Sequence, residues 1–97
     1  MSRVRYALIT GAARRIGACI AETLHRRGCD VFLHYNNSSA EVMQLAEKLN
    51  ESRPGSASIV QASLGDNGEI DRLAGQVRSQ TGQLDLLVNK QWFSTYA

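Results

Sequence analysis

The residue types best suited to chemistry in this chain are concentrated in one run, Thr10-Gly11-Ala12-Ala13-Arg14-Arg15-Ile16-Gly17. It follows an apolar stretch, Ala7-Leu8-Ile9, and opens a helical pattern. A glycine at 11 lets the backbone leave a strand sharply, and a glycine at 17 lets a helix lie close against what precedes it. The unpaired N–H groups of a first helical turn and the positive end of the helix dipole favour a bound phosphate. Two guanidinium groups beside that turn add planar phosphate donors. The chemistry indicated is the gripping of an anion, and in the order strand, glycine turn, helix, that anion is the pyrophosphate of a dinucleotide. The competing reading is a tight turn that binds nothing, with the arginines as a solvated helix start.

A second group sharpens the ligand. The next apolar run ends His34-Tyr35-Asn36-Asn37-Ser38. A site for NAD usually carries an acid here to hold the ribose hydroxyls. This sequence has none, and Asn37 and Ser38 donate hydrogen bonds without adding negative charge. Together with Arg14 and Arg15, they indicate a 2′-phosphorylated cofactor, NADP, over NAD; the alternative is that Asn36, Asn37 and Ser38 form only a turn.

No other grouping competes. His25 is expected on the exposed side of the first helix and His34 at a strand end, neither with a partner at catalytic or metal-binding spacing. Cys19 and Cys29 lack metal-ligand spacing and read as reduced, small hydrophobes. The sequence contains no HExxH pair and no Gly-Lys-Ser/Thr phosphate loop. A net charge of +2 with scattered basic residues disfavours a nucleic-acid partner. The apolar run near the N-terminus is too short for a signal or membrane-spanning segment, so a cytoplasmic location is expected.

The elements that must position these groups follow from periodicity. With 97 residues the chain is one domain at most, and a chain this short buries about 60–65% of the surface its unfolded form exposes. A first strand covers 5–10. A helix over about 15–27 places Ile16, Ile20 and Leu24 at four-residue steps, with Cys19 and Thr23 widening that face. A second strand over 31–35 is nearly continuously apolar, as suits a parallel strand covered on both faces. Ser38 and Glu41 have capping-box spacing ahead of a helix that presents Val42, Leu45, Ala46 and Leu49. Pro54-Gly55 precedes a third strand over 57–61. Asp66 or Asn67 caps a third helix with Ile70, Leu73, Ala74 and Val77 on its stripe, and a fourth strand spans 84–88. Parallel strands joined by right-handed helical crossovers give an α/β fold, a partial doubly wound sheet in the order 3-2-1-4. The domain division expected is an N-terminal half of a dinucleotide-binding domain over 1–89 and an irregular tail over 90–97. That tail would leave the fourth strand as an exposed edge open to self-association.

Up to Asn89 the chain resembles the short-chain dehydrogenase/reductase family, and within it the pteridine reductases. The family opens with a TGxxxGxG turn, and pteridine reductases put Arg at the middle glycine, where this sequence has Arg15. The run His34-Tyr35-Asn36-Asn37-Ser38-Ser39 resembles theirs as well. The resemblance implies an NADPH-dependent oxidoreductase by ancestry, acting on a pteridine-like small molecule in a complete relative. It implies that Arg14, Arg15, Asn37 and Ser38 surround the 2′-phosphate and that His34 and Tyr35 line the ribose pocket. The full cofactor-binding set expected adds Gly11, Ile16, Gly17, Asn36, Ser63, Leu64 and Asn89. Three positions depart from the family pattern. Asn37 stands where a basic residue is common, and Ser63-Leu64 where Asp-Leu is usual. Lys90-Gln91-Trp92 replaces small residues after Asn89. The family's catalytic Ser and Tyr-x-x-x-Lys would lie past position 97, so the expectation is a truncated chain with no catalytic residue of its own. The alternative is a non-catalytic nucleotide-binding or structural fragment that pairs through its open sheet edge.

Overall fold

A computed structural model describes residues 5–12, 15–37, 39–62, 67–89 and 92–95. Five strands and three helices follow in order: β1 (Arg5–Ile9), α1 (Arg15–Arg26), β2 (Cys29–Tyr35), α2 (Ser39–Ser52), β3 (Ala57–Gln61), α3 (Asn67–Thr81), β4 (Leu86–Asn89) and β5 (Trp92–Thr95). They form one sheet in the order β3-β2-β1-β4-β5. The first four strands are parallel: Leu8 pairs with Phe32 and with Leu87, and Leu33 pairs with Ile59. The expected α/β arrangement, order 3-2-1-4 with three helices, is what the chain forms.

The pleat of the sheet divides the core in two. On one face Ala7, Ile9, Val31, Leu33, Ala57 and Val88 meet Ala21 of α1 and Val42, Leu45, Ala46 and Leu49 of α2. On the other, Leu8, Phe32 and Leu87 meet Leu73, Ala74 and Val77 of α3, with Leu84 just before β4. The stripes expected for the second and third helices are therefore the buried ones at every described side chain. The apolar continuity of β2 has its cause here, since Val31 and Leu33 face one layer while Phe32 faces the other.

Three expectations are corrected. The stripe expected of α1 holds only in part: Ile20 and Leu24 are partly buried and pack against the core, but Ile16 is 74% exposed, Cys19 is exposed, and the fully buried residues are Ala21 and His25. The helix is rolled so that Ala21 is fully buried between Ala18, Ile20 and Leu24, while Ile16 turns to solvent. Secondly, His25 is 4% exposed, not on the solvent side. The Ser56 hydroxyl donates to the Arg53 carbonyl and accepts from the His25 Nε2–H at 2.6 Å. Arg53 completes this corner by donating to the carbonyls of His25 at 3.1 Å and Cys29 at 2.6 Å. A polar side chain on an apolar face is tolerated because its hydrogen bond is supplied from another element.

Thirdly, the stretch after Asn89 is not wholly irregular. Trp92–Thr95 pairs antiparallel with β4, Leu86 opposite Thr95 and Asn89 opposite Trp92. The backbone of β4 is thereby paired on both sides, with β1 and with β5. The exposed fourth-strand edge is not present. The short connection allows only an antiparallel return, and Trp, Phe and Thr are good strand formers.

Two outcomes test this packing. Leu33→Ala, at a fully buried position, should cost about 2–5 kcal/mol in urea unfolding, whereas Ile16→Ala should stay within about 0.5 kcal/mol. Burial and the Arg53 charge lower the pKa of His25 from 6.5, against a smaller upward pull from Asp30. The stability that its neutral form supplies is present in full above the unfolded value near 6.5 and is lost as pH falls through the lowered folded value. Urea midpoints should therefore fall between pH 7 and pH 5, and His25→Gln should reduce that slope.

Candidate functional site

Four parallel strands end at one edge of the sheet, and the chain crosses from β1 to β2 on one side and from β3 to β4 on the other. The carboxyl end of β1 is thus the topological switch point, where open α/β sheets bind ligands. Thr10-Gly11-Ala12, leaving β1, lies there with the ends of β2 (Tyr35), β3 (Gln61) and β4 (Asn89).

The backbone hydrogen bonds of the turn go to specific places. Thr10 N–H donates to the Val88 carbonyl of β4 at 2.8 Å. Gly11 N–H donates to Nδ1 of His34 at 3.1 Å, and Ala12 N–H donates to the His34 carbonyl at 2.9 Å. Three consecutive amides therefore point into the protein and tie the turn to the strands on both sides of β1. The donors left for an anion come later, from the first turn of α1 beginning at Arg15, where no preceding helical carbonyl exists to accept them.

Two glycines permit this path. Gly11 has φ +63°, a left-handed conformation that a side chain disfavours. Gly17 meets the turn so closely that a Cβ on it would lie 2.5 Å from the Gly11 carbonyl oxygen and 3.1 Å from the Ala12 Cα. The first turn of α1 consequently presses against the end of β1 with its amide end at the sheet edge. A dinucleotide's pyrophosphate fits a bare backbone approach of this kind at a helix N-terminus.

The structure distributes the other expected site residues as follows. Arg15 is exposed at the start of α1, beside the exposed Ile16. Asn36 and Asn37 follow β2 and are exposed; the Asn36 carbonyl accepts a hydrogen bond from Gln61 Nε2 at 3.1 Å, linking the ends of β2 and β3. Tyr35 is partly buried and packs against the core on the α1–α2 face. Asn89 ends β4. Arg14, Ser38, Ser63 and Leu64 lie outside the described residues.

His34 differs from its expected part. Its ring is 5% exposed, and both nitrogens are engaged inside the protein: Nδ1 accepts from Gly11, and Nε2–H donates to the Ala62 carbonyl at 2.7 Å. With Gly11 N–H as donor, Nδ1 carries no proton, so the ring is the neutral Nε2–H tautomer. Burial lowers its pKa, opposed in part by the bond to Ala62. The ring supports the wall of the site. A histidine directly after the apolar run Val31-Phe32-Leu33 is the available signal, because a buried imidazole needs partners for both nitrogens.

Comparison with known proteins agrees with this geometry. The profile of the short chain dehydrogenases matches residues 5–90. The chain belongs to that family. It is 55% identical over 58 residues to "Pteridine reductase 1" of Leishmania tarentolae, covering 60% of this chain and 20% of that protein. It is 39% identical over 83 residues to "Short-chain dehydrogenase/reductase FrzI" of Cladobotryum sp, covering 86% of this chain and 32% of the other. Against a "3-oxoacyl-[acyl-carrier-protein] reductase FabG" of Staphylococcus aureus it is 36% identical over 89 residues, 92% of this chain and 36% of that one. The chain thus spans between about a fifth and just over a third of the length of these relatives. No helix among the described residues is long and apolar enough to cross a membrane.

The close approach at Gly17 is testable by contrast. Gly17→Ala forces backbone apart and should destabilise by about 1–3 kcal/mol. Gly75→Ala, on α3 with nothing within 4 Å of the added Cβ, should instead stabilise by up to about 1 kcal/mol. Equal effects in thermal or urea unfolding would contradict the assigned helix position.

Proposed function

We propose that this segment is the NADP(H)-holding part of a pteridine-reductase-like member of its family. The observation that carries the reading is the inward turning of the Thr10, Gly11 and Ala12 amides. It commits the turn to the strands and leaves the α1 N-terminus as the donor end at the switch point. In this reading the pyrophosphate lies against the first turn of α1. Arg15 and Asn37 stand on either side of the ribose 2′-phosphate, joined by Arg14 and Ser38. Ser63 and Leu64 border the adenine, and Asn89 borders the far end of the dinucleotide. Exposed Ile16 offers it an apolar surface.

What favours NADP over NAD is charge. Arg15 adds a cation at the helix start, and the stretch from His34 to Ser38 contains no carboxylate to repel a phosphate. What favours a pteridine reductase over other reductases is Arg15 at the middle position of the turn, together with the local identity to the Leishmania protein. When bound, the cofactor supplies hydride chemistry, and the protein's part is to bind and orient it. None of the tyrosines in these 97 residues is followed four positions later by a lysine. The functions assigned to the segment are therefore binding and orientation.

Titration of the chain with NADPH and NADH, followed by nicotinamide fluorescence or heat, checks this. NADPH should bind more tightly, and Arg15→Ala should weaken it by about tenfold, the loss of one charge-assisted phosphate contact, with little effect on NADH. Asn37→Asp should shift preference toward NADH by placing an acid against the phosphate. Equal affinities for the two cofactors would refute the NADP assignment. No binding of either at millimolar concentration would refute the site.

A further inference from the structure

His34 occupies a position that neither the turn nor the sheet requires. A β2 residue facing the α3 layer could be apolar, like Phe32 two positions earlier. Instead its ring spans two parts of the nucleotide edge. Nδ1 accepts from Gly11 N–H at 3.1 Å, and Nε2 donates to Ala62 at 2.7 Å, at the end of β3. Its main-chain carbonyl also takes Ala12 N–H at 2.9 Å. One residue thus holds two of the turn's three inward amides, those of Gly11 and Ala12, and the Ala62 carbonyl just after β3.

We infer that His34 is a positioning residue: its neutral imidazole locks the pyrophosphate turn to the end of β3, and a proton on Nδ1 releases that lock and weakens cofactor binding. The inference rests on the nucleotide-binding reading above. The reason is donor and acceptor arithmetic. A protonated imidazole has two donors and no acceptor. Nδ1–H would then confront Gly11 N–H, donor against donor, in a site too buried for water to compensate cheaply. The Ala62 bond survives protonation, so the turn is the side that gives. Displacing Gly11 also displaces the Gly17 contact against its carbonyl, and with it the first turn of α1.

The surroundings leave the ring itself as the titrating group. Thr10, Gly11 and Ala12 from the turn and Val60, Gln61 and Ala62 from β3 carry no titratable side chain. Burial is the main influence on the ring, and no charged partner among the described residues contributes. α3 contributes Asp71, Arg72 and Arg78 as its described charges, all exposed.

Two substitutions separate the two bonds. In His34→Asn the amide Oδ1 takes the place of Nδ1 and accepts from Gly11, while the reach to Ala62 is lost. In His34→Gln the amide nitrogen reaches Ala62 and the acceptor for Gly11 is lost. NADPH affinity is measured at pH 8 and pH 5.5 for the wild type and both variants, with thermal unfolding to establish that each is folded. The 2′-phosphate titrates in the same range, so NADH provides a control without that group. The wild type should lose more affinity than His34→Asn on acidification, with both cofactors, the difference growing with the protonated fraction of the ring toward the roughly tenfold that one buried hydrogen bond is worth. His34→Gln should be about tenfold weaker already at pH 8, and His34→Asn should restore affinity to within about threefold. In the free protein, the Gly11 amide resonance should shift with pH in step with the His34 ring and lose that shift in His34→Asn.

Wild-type binding with the same pH dependence in His34→Asn, or a Gly11 amide that ignores the ring, would overturn the inference while leaving nucleotide binding intact. Failure of the wild type to bind either cofactor at pH 8 would overturn the functional reading, whatever the Gly11 resonance does. A His34→Gln variant that binds as the wild type does would show that the turn needs no acceptor from residue 34.

Discussion

α1 can begin where it does only because no side chain separates Gly17 from the Gly11 carbonyl, where a Cβ would come within 2.5 Å. The constraint is steric and it acts on backbone, which has no rotamer with which to yield. It sets the distance between helix and sheet at the switch point and so determines where the helix's unpaired amides stand. Held this close, the first turn of α1 leaves Ile16 outside, while Ala18, Ile20, Ala21 and Leu24 further along meet the core.

The polar accounting of the edge follows from the same geometry. A turn pressed between strands cannot leave its amides to water, so Thr10 is satisfied by β4 and both Gly11 and Ala12 by His34 of β2. The far end of the sheet solves a comparable problem with Arg53, which donates to the carbonyls where α1 ends and β2 begins, and with His25, which is held by Ser56. Both histidines are buried, uncharged and hydrogen-bonded. One closes a structural corner; the other ties the turn after β1 to the end of β3.

Much of the fold was legible because parallel α/β units are repetitive. The stripes Val42-Leu45-Ala46-Leu49 and Leu73-Ala74-Val77 each point one way and admit one solution, and four apolar runs joined by helices leave few sheet orders. α1 departs from its apolar spacing at Ile16, beside the close approach at Gly17, whereas Ile20 and Leu24 do reach the core. β5 was not foreseen because a four-residue strand has too little periodicity to separate from a loop; the pairing becomes evident only with β4 beside it. His25 and His34 were legible as histidines but not as buried groups. Their partners, Ser56, Gly11 and Ala62, lie 23 to 31 positions away in the chain.

The sequence by itself determined the family and the layer architecture, because these depend on local spacing and residue type. Only the tertiary structure decided which amides of the turn face inward, which face of α1 is buried, that β4 has a partner on both sides, and that the His34 ring bridges Gly11 and Ala62. Those outcomes depend on distances between segments remote in the chain. Such distances arise only when the strands are brought side by side and each buried donor must find an acceptor.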